Sequence, residues 1–274
     1  MIFLLGSAII ARLGWRDDTH SLSPRVRFIV QGIVAAISLL GLGYFKVVTI
    51  PMFGELQLGV FGILITFLWI IGLINAYNFM DGIDGMAGGV ALSAGIGWMW
   101  LASTTNNAFT SWIALAIAAS SLGFLGHNRS PAKIFMGDVG STFLGYSFAV
   151  LPLLSSDQGG DALLLGTLLM WTIIIDAGIT FIGRLLRREN VFAPHRLHLY
   201  QRLVRAGYKH ETVSLLYILL TLLAGLLSYE WSQGHQTAAP LIFLGLPLIW
   251  ISLSVYAARL RPTTLGTKSF VSDH

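Results

Sequence analysis

The chain has 274 residues, of which 55% are hydrophobic and only 11% are charged, and its mean hydropathy is +0.73. A soluble domain carries about 25% charged residues, so this composition excludes an ordinary soluble protein and predicts one polytopic membrane domain over residues 1–274. The net charge of +4 does not indicate a nucleic-acid partner, because the basic residues are scattered between apolar segments, and the lack of cysteine excludes disulfides and thiolate metal sites.

Nine apolar segments recur along the chain. A transmembrane helix needs about 20 mostly apolar residues, and the first segment would reach only about 20 Å. We therefore expect an all-α polytopic integral membrane protein with about eight full transmembrane helices and a partial first one. The segments lie at 1–13, 28–45, 58–74, 86–102, 109–125, 139–154, 162–182, 213–229 and 238–260.

The distribution of lysine and arginine predicts the orientation in the bilayer. If residues 14–27, 75–85, 126–138, 183–212 and the C-terminus share one side, that side holds 16 of the 17 basic residues, and the other side holds only Lys46. The positive-inside rule then makes this side cytoplasmic, together with the C-terminus. The acidic residues and histidines were not used in this assignment, yet their clusters fall on the same side. We therefore expect one active site at the cytoplasmic face.

The segment from Asn75 to Gly85 directly follows a long apolar run without charge. Asn75 and Asn78 would share one face of a helix, and Gly82 and Gly85 would let the backbone turn sharply at Asp81 and Asp84. Carboxylates at the end of an apolar segment are costly unless they pair, bind a metal or line a wet cavity. We interpret this segment as part of a functional site, with an ordinary polar helix end as the alternative.

Three further aspartates are candidates. Asp17 and Asp18 are adjacent, so on a helix they cannot point the same way, and one could act while the other positions a partner; a solvated loop pair is the alternative. Asp138 stands immediately before an apolar run, where a helix N-terminus favours anions such as phosphate. A carboxylate there can also hold Mg²⁺, which prefers oxygen ligands, and an N-cap aspartate is the alternative.

A segment rich in arginine, residues 183–212, carries His195, Arg196 and His198. No thiolate or adjacent carboxylate completes a metal site there, so these residues favour phosphate recognition, with contact to anionic lipid head groups as the alternative. Asp176 lies within the apolar segment before it, where a charge is costly. We expect it to mark a cavity or a pairing, for example with an arginine of the next turns.

Carboxylates, amides and a His/Arg segment at one end of a helical bundle are what metal-assisted phosphoryl transfer between a nucleotide and a lipid phosphate needs. A lipid or solute transporter is the competing hypothesis, motivated by Asp176. Transporters place their polar sites near the midplane, often within internal repeats, whereas here the polar groups lie at one face and no repeat is found. The pattern therefore favours the transferase.

The motifs resemble those of the polyprenyl-phosphate N-acetylhexosamine-1-phosphate transferases, the MraY/WecA-like glycosyltransferase family 4. The resemblance covers about residues 10 to 205. Four elements match in order: Asp17-Asp18 with Arg25 and Gln31; Asn75-x-x-Asn78-x-x-Asp81-Gly82-Ile83-Asp84; Asn128 with Asp138 ten residues later in Phe-Met-Gly-Asp-Val-Gly-Ser; and Arg196-x-His198.

The resemblance implies transfer of an N-acetylated hexosamine-1-phosphate from a UDP-sugar to undecaprenyl phosphate in the bacterial inner membrane, with release of UMP. It implies Mg²⁺ as the cofactor, with Mn²⁺ as an alternative, and suggests a homodimer. Asp17 would be the base or a lipid-phosphate residue. The implied catalytic residues are Asp17, Asp18, Asp81 and Asp84; the substrate-binding residues are Asn75, Asn78, Gly82, Ile83, Asn128, His195, Arg196 and His198; and the metal ligands are Asp138 and Asp81.

Two features depart from the family's pattern. The family usually reads His-x-His-His, whereas here Tyr200 and Gln201 follow His198, and His195 stands where an acidic residue is common. This variant resembles the branch that initiates O-antigen chains, which favours UDP-GlcNAc or UDP-N-acetylated 6-deoxy sugars over UDP-MurNAc-pentapeptide. Members also carry two further helices before the Asp-Asp pair, so we expect the family's N-terminal helices to be missing, with an inactive truncated relative as a further alternative.

Overall fold

A computed structural model describes residues 1–104, 106–155, 161–189 and 198–260. These residues form a bundle of α-helices and one β-hairpin, so the prediction of an all-α polytopic membrane protein is confirmed. The elements are α1 (Ile2–His20), α2 (Pro24–Leu42), β1 (Val47–Ile50), β2 (Gly54–Gln57), α3 (Phe61–Met80), α4 (Met86–Thr104), α5 (Ala108–Asn128), α6 (Gly137–Leu154), α7 (Asp161–Leu169), α8 (Trp171–Leu186), α9 (Leu199–Arg205), α10 (His210–Ser232), α11 (Ala238–Pro240), a π-helical turn (Leu241–Gly245) and α12 (Leu246–Arg259).

Within the described ranges, six helices are long and apolar enough to cross a membrane, or seven if one bent pair counts as a single span. This is fewer than the eight or so expected. The predicted segment 162–182 is in fact two helices, α7 and α8, which meet at an angle of 83°. Neither proline nor glycine stands at the break, Met170, so the sequence carries no local signal for it.

Helix α1 is longer than predicted, and the predicted loop at 14–27 was wrong. The helix continues to His20 and ends where Ser21 adopts a left-handed conformation with a φ of 46°. Ser23 then accepts a hydrogen bond from the Val26 N–H as the N-cap of α2. Asp17 and Asp18 therefore lie on a helix, with their positions fixed by its geometry.

Helix α6 packs closely against both α1 and α3. A Cβ at Gly14 of α1 would lie 2.5 Å from the backbone oxygen of Asp138, and a Cβ at Gly145 of α6 would lie 2.7 Å from the Cα of Ile74. Only glycine allows backbones to approach this closely. The contacts bring the C-terminal ends of α1 and α3 to the N-terminal end of α6.

Polar side chains inside the bundle are paired across helices. Ser38 on α2 hydrogen-bonds the Tyr146 hydroxyl on α6 at 2.9 Å, and Thr172 on α8 bonds Thr221 on α10 at 3.1 Å. Such pairing is required where lipid excludes water. The bonds fix how the helices are rotated against one another.

The β-hairpin was not predicted. Strands β1 and β2 pair antiparallel, with Val47 opposite Gln57 and Ile50 opposite Gly54. The four residues of β1 are all β-branched, which favours a strand, but four residues are too few to stand out between long apolar helices. The hairpin contacts α7 at the end of the bundle away from Asp138.

Candidate active site

Several helix ends meet at one end of the bundle and carry the predicted polar clusters. Hydrogen bonds join α1 to α6, α3 to α6, and the segment after α3 to the segment after α5. The arrangement brings together residues that lie more than 100 positions apart in the sequence. The helix ends are the C-terminal ends of α1, α3 and α5 and the N-terminal ends of α2, α6 and α10.

Asp18 caps the N-terminus of α6. Its Oδ1 accepts the Asp138 N–H at 2.8 Å, and its Oδ2 accepts the Val139 N–H at 3.1 Å. Gly137 has a φ of 66°, and a Cβ there would lie 2.8 Å from the Asp18 carboxylate. The helix N-terminus that the sequence suggested for a phosphate is therefore filled by a carboxylate of the protein itself.

Asp17 points in a different direction from Asp18, as adjacency on a helix requires. One of its oxygens lies 3.0 Å from Nη1 of Arg27, and the other accepts the Leu22 N–H at 2.7 Å. Its charge also acts on the nearby Asp138 carboxyl. Asp17 therefore faces the carboxylate cluster, while Asp18 holds the backbone beneath it.

The two asparagines of α3 have different partners. Asn78 donates to Oδ1 of Asp138 at 2.6 Å and to the Ser141 hydroxyl at 2.9 Å, and so fixes the rotamer of Asp138. Asn75, one turn earlier, donates to the Gln31 side chain of α2 at 2.7 Å. Asn78 thus orients a carboxylate of the site, and Asn75 joins α3 to α2.

Asp81 stands at the C-cap of α3, next to these carboxylates. The pKa of the Asp81 carboxyl is raised to about 7, mainly by burial and to a smaller extent by the negative charges of Asp138 and Asp18. Convergent carboxylates that repel one another in this way are stabilised by a cation or a shared proton.

The carboxylates at this end of the bundle are oxygen donors of the kind that a divalent cation such as Mg²⁺ prefers. In the part of the chain that the structure describes, no group of three or more His, Asp or Glu side chains has metal-binding geometry. Mg²⁺ does not require one, since it commonly takes one or two carboxylates and completes its shell with phosphate and water oxygens. Asp138, with Asp17 and Asp81 beside it, offers such oxygens. The residues therefore fit Mg²⁺ shared with a substrate phosphate.

Asp84 and Asn128 fasten two loops to each other. Asn128 is only 4% exposed; its Oδ1 accepts the Gly85 N–H at 2.9 Å and its Nδ2 donates to the Ile134 carbonyl at 2.8 Å. Asp84 accepts the Ala132 N–H at 3.2 Å and lies 3.5 Å from Nδ1 of His210. These contacts shape the loops, and the substrate and catalytic roles implied for both residues stay predictions.

Gly82 and Ile83 complete the segment after α3. Ile83 is buried, whereas Gly82 is exposed and lies against Tyr200, whose hydroxyl would collide with any side chain there. That hydroxyl donates to the Phe79 carbonyl at 3.1 Å. Burial, followed by the charge of Asp176, raises the pKa of Tyr200, so it remains a neutral donor.

His198 is buried beside this segment. Its ring centroid lies 5.8 Å from that of Tyr200 and 6.4 Å from that of Phe79. His195 and Arg196 lie outside the described residues. Asp176 is buried and paired, as expected. Its hydrogen-bond donors are the Leu199 N–H and the Tyr217 hydroxyl, whereas the sequence had suggested an arginine of the following turns.

An apolar cavity of about 470 Å³ lies between α2, α3 and α8 and reaches this end of the bundle. Its polar lining consists of Asn75, Arg184 and His198. Arg184 is 4% exposed and pairs with Glu189 at 3.1 Å. The sequence placed Arg184 among the basic residues of the segment 183–212, for which phosphate recognition was expected. It could not show that this side chain turns into a cavity, because that orientation depends on the rotation of α8.

Phe135 is a second residue that sequence reasoning missed. It lies on the segment between α5 and α6, and its side chain is 75% exposed. An exposed aromatic ring beside a site can stack on a nucleobase. Its place directly before the Met-Gly-Asp138 sequence was the only available signal.

Known proteins that are similar in sequence to this chain share the region that contains these motifs. The sequence model of glycosyl transferase family 4 matches residues 1–156, which include the first three motifs but not His198. A probable undecaprenyl-phosphate N-acetylglucosaminyl 1-phosphate transferase of Bacillus subtilis is 34% identical over 257 residues, which cover 92% of this chain and 67% of that protein.

Two further relatives are named undecaprenyl-phosphate alpha-N-acetylglucosaminyl 1-phosphate transferase. That of Yersinia pestis is 30% identical over 86% of this chain and 66% of its own length. That of Escherichia coli K12 is 31% identical over 83% of this chain and 63% of its own length. The chain thus spans about two thirds of the length of these relatives.

Proposed function

The chain belongs to glycosyl transferase family 4, and on that premise we propose that it transfers an N-acetylated hexosamine-1-phosphate from a UDP-sugar to undecaprenyl phosphate and releases UMP. The observation that carries the proposal is the cluster of Asp17, Asp81 and Asp138 at the end of a membrane bundle, beside an apolar cavity. The names of the relatives support the acceptor and the transferred group. The product would start an O-antigen or another envelope polysaccharide.

The site is proposed to face the cytoplasm. Arg27, Arg184 and the other basic residues of the site end outnumber Lys46, which lies beside the hairpin at the opposite end. Cytoplasmic loops of membrane proteins carry an excess of lysine and arginine, which favours a cytoplasmic position for this end of the bundle. It also gives the site access to a soluble nucleotide-sugar.

The acceptor lipid is proposed to lie in the cavity between α2, α3 and α8. A polyprenyl chain needs an apolar surface, and the cavity lining is apolar apart from Asn75, Arg184 and His198. A phosphate at that polar end would meet a buried guanidinium and an imidazole, which are suitable partners for an anion. Its oxygen would then lie near the carboxylate cluster.

The donor is proposed to bind over the segment after α3. Asp138, fixed by Asn78, and Asp81 would hold Mg²⁺, which when bound neutralises the charge of the donor diphosphate. The exposed Phe135 ring is available to stack on uracil, and the exposed Gly82 leaves room for the nucleotide.

The reaction needs little acid–base chemistry. An oxygen of the lipid phosphate attacks the sugar-linked phosphorus, a new P–O bond forms, and the bond to the bridging oxygen breaks as UMP leaves with its electron pair. A phosphate monoester already carries about −1.5 to −2 charges at pH 7, so Asp17 would chiefly position the nucleophile and accept any remaining proton. The ion pair with Arg27 holds the Asp17 carboxylate in a fixed orientation for this role.

Release of UMP by the purified, detergent-solubilised protein tests the proposal. The protein is given undecaprenyl phosphate, Mg²⁺ and either UDP-GlcNAc or a UDP-N-acetyl-6-deoxyhexose, with and without EDTA. We expect release with one donor, its loss in EDTA, and its loss in Asp138→Asn. A folded protein that releases no UMP with any donor would contradict the proposal, and movement of lipid-linked sugar without UDP-sugar consumption would favour a transporter.

A further inference from the structure

Outside the carboxylate cluster, one buried carboxylate joins α8 to α9 and α10. Asp176 on α8 is only 2% exposed. Its Oδ1 accepts the N–H of Leu199, the first residue of α9, at 2.8 Å, and its Oδ2 accepts the Tyr217 hydroxyl of α10 at 2.6 Å. A charge in an apolar helix is tolerated only with such partners, and it commonly marks a functional site.

The same carboxylate faces the imidazole of His198. Oδ1 lies 3.5 Å from Nδ1, which is within ion-pair distance although longer than a hydrogen bond. The ring is only 3% exposed and packs beside Tyr200 and Phe79. Because Nδ1 is directed toward Asp176, Nε2 lies on the other side of the ring, and the residue also lines the cavity.

We propose that Asp176 is a positioning residue for the transfer reaction. By holding the first N–H of α9 and facing Nδ1 of His198, it fixes the orientation of the imidazole, so that Nε2 meets a phosphate at the polar end of the cavity. A carboxylate partner commonly sets which nitrogen of a histidine faces a ligand. The inference rests on the proposed function, because it takes His198 as a phosphate contact.

The test compares two changes at the junction of α8 with α10. Asp176→Asn keeps the volume and a hydrogen-bond acceptor but removes the charge. Thr172→Val, one turn earlier, removes the buried bond to Thr221 between the same two helices and does not touch His198. We expect Asp176→Asn to lower kcat for UMP release about tenfold or more with KM for the UDP-sugar nearly unchanged, and Thr172→Val to lower only the unfolding temperature.

A double-mutant cycle then shows whether Asp176 acts through His198. In a protein that already carries His198→Ala, Asp176→Asn should lower kcat by less than about a further twofold, because the side chain that Asp176 positions is already absent. An equal loss of kcat with and without His198, or an equal loss in Thr172→Val, would overturn the proposal. The wild-type protein must turn over first, and its failure to do so would count against the proposed function alone.

Hydrogen–deuterium exchange gives a readout that does not depend on turnover. We expect Asp176→Asn to speed exchange of the amides of Leu199–Arg205, because their first N–H loses its charged acceptor, and Thr172→Val to leave these amides unchanged. Unchanged exchange in Asp176→Asn would overturn the positioning role, even if the protein proved to catalyse a different reaction.

Discussion

Asp17 and Asp18 are neighbours in sequence but make contacts of different kinds. Both carboxylate oxygens of Asp18 accept hydrogen bonds from backbone N–H groups of α6, whereas Asp17 faces Arg27 and Asp138. A capping side chain of this kind contributes about 1 kcal/mol to stability, and here it also fixes the position of Asp138 in the first turn of α6. Asp18 therefore stabilises the protein, whereas Asp17 is oriented toward the proposed reaction site.

This difference predicts distinguishable phenotypes for changes at the two residues. Asp17→Asn should lower kcat at least about a hundredfold and lower the unfolding temperature less than Asp18→Ala does, because the amide still accepts the Leu22 N–H and the partner it loses, Arg27, is partly exposed to solvent. Asp18→Ala should lower both, since α6 loses its cap. UMP release and thermal unfolding measured on the same preparations distinguish the two. A stable, fully active Asp18→Ala protein would contradict the capping role.

The raised pKa of Asp81 predicts a pH dependence of stability in metal-free protein. Its value is about 7 in the folded chain against an ordinary 3.8, so the folded state binds more protons than the unfolded state between these values. The free energy of unfolding should therefore fall as pH rises from about 4 to about 7 and should level off above that. The proposed role of Asp81 as a Mg²⁺ ligand predicts in addition that the affinity for Mg²⁺ weakens as pH falls below 7, because the ion has to displace this proton.

Thermal unfolding in EDTA between pH 5 and pH 8 measures this effect. Asp81→Asn removes the titrating group and retains nearly the same shape, so the difference in unfolding temperature between wild type and variant should follow the protonation of one group with a pKa near 7. Parallel curves for the two proteins would show that Asp81 does not titrate in this range.

Among the secondary-structure elements, the contact between α1 and α6 controls the site most directly. Gly14 lets the two backbones touch where Asp18 reaches the first N–H groups of α6. Gly14→Ala should push α1 away, lower the unfolding temperature and reduce kcat, because Asp17 and Asp138 separate. Gly123→Ala on α5 is the matched control, since a Cβ there has nothing within 4 Å. Equal behaviour of the two variants would rule out this account of the α1–α6 contact.

The contrast between predicted and observed elements has a physical origin. Long apolar runs identify helices such as α3 and α10, because a bilayer demands them. The continuation of α1 through Asp17 was missed, since its charges are stabilised by Arg27 and by α6, which are contacts distant in sequence. The break at Met170 was missed because no proline or glycine marks it, and the hairpin was missed because its four-residue strands do not stand out between long apolar helices.

The candidate site was predictable as a set of residues but not as a set of contacts. The distribution of lysine and arginine alone, without use of the acidic residues, predicted that the polar clusters lie on one side of the membrane. No spacing rule, however, could show that Asn78 fixes Asp138, that Asn128 is buried against loop backbone, or that Arg184 turns into a cavity. Such contacts depend on helix rotation, which the sequence specifies only through the packing of the whole bundle.

At the scale of the whole molecule, the cavity between α2, α3 and α8 sets the relation between the bilayer and the site. It is bounded by three helices, and its polar end contains Arg184 and His198. A substrate that enters along its length would come from the membrane, whereas the exposed Gly82 and Phe135 are reached from outside the helical bundle. The two substrates are thereby expected to use separate entrances.

Filling the cavity tests this separation. Gly178 lines it, and a Cβ there has nothing within 4 Å, so a large side chain can extend into the space without colliding with backbone. Gly178→Phe should raise KM for undecaprenyl phosphate about tenfold or more and leave KM for the UDP-sugar within about twofold, because only the lipid loses its apolar contacts. Gly123→Phe, which also has open space around it but lies on α5 away from the cavity, should change neither value. If Gly178→Phe raised the two KM values equally, or raised only that of the nucleotide-sugar, the acceptor would have to bind elsewhere, and the cavity would have another occupant.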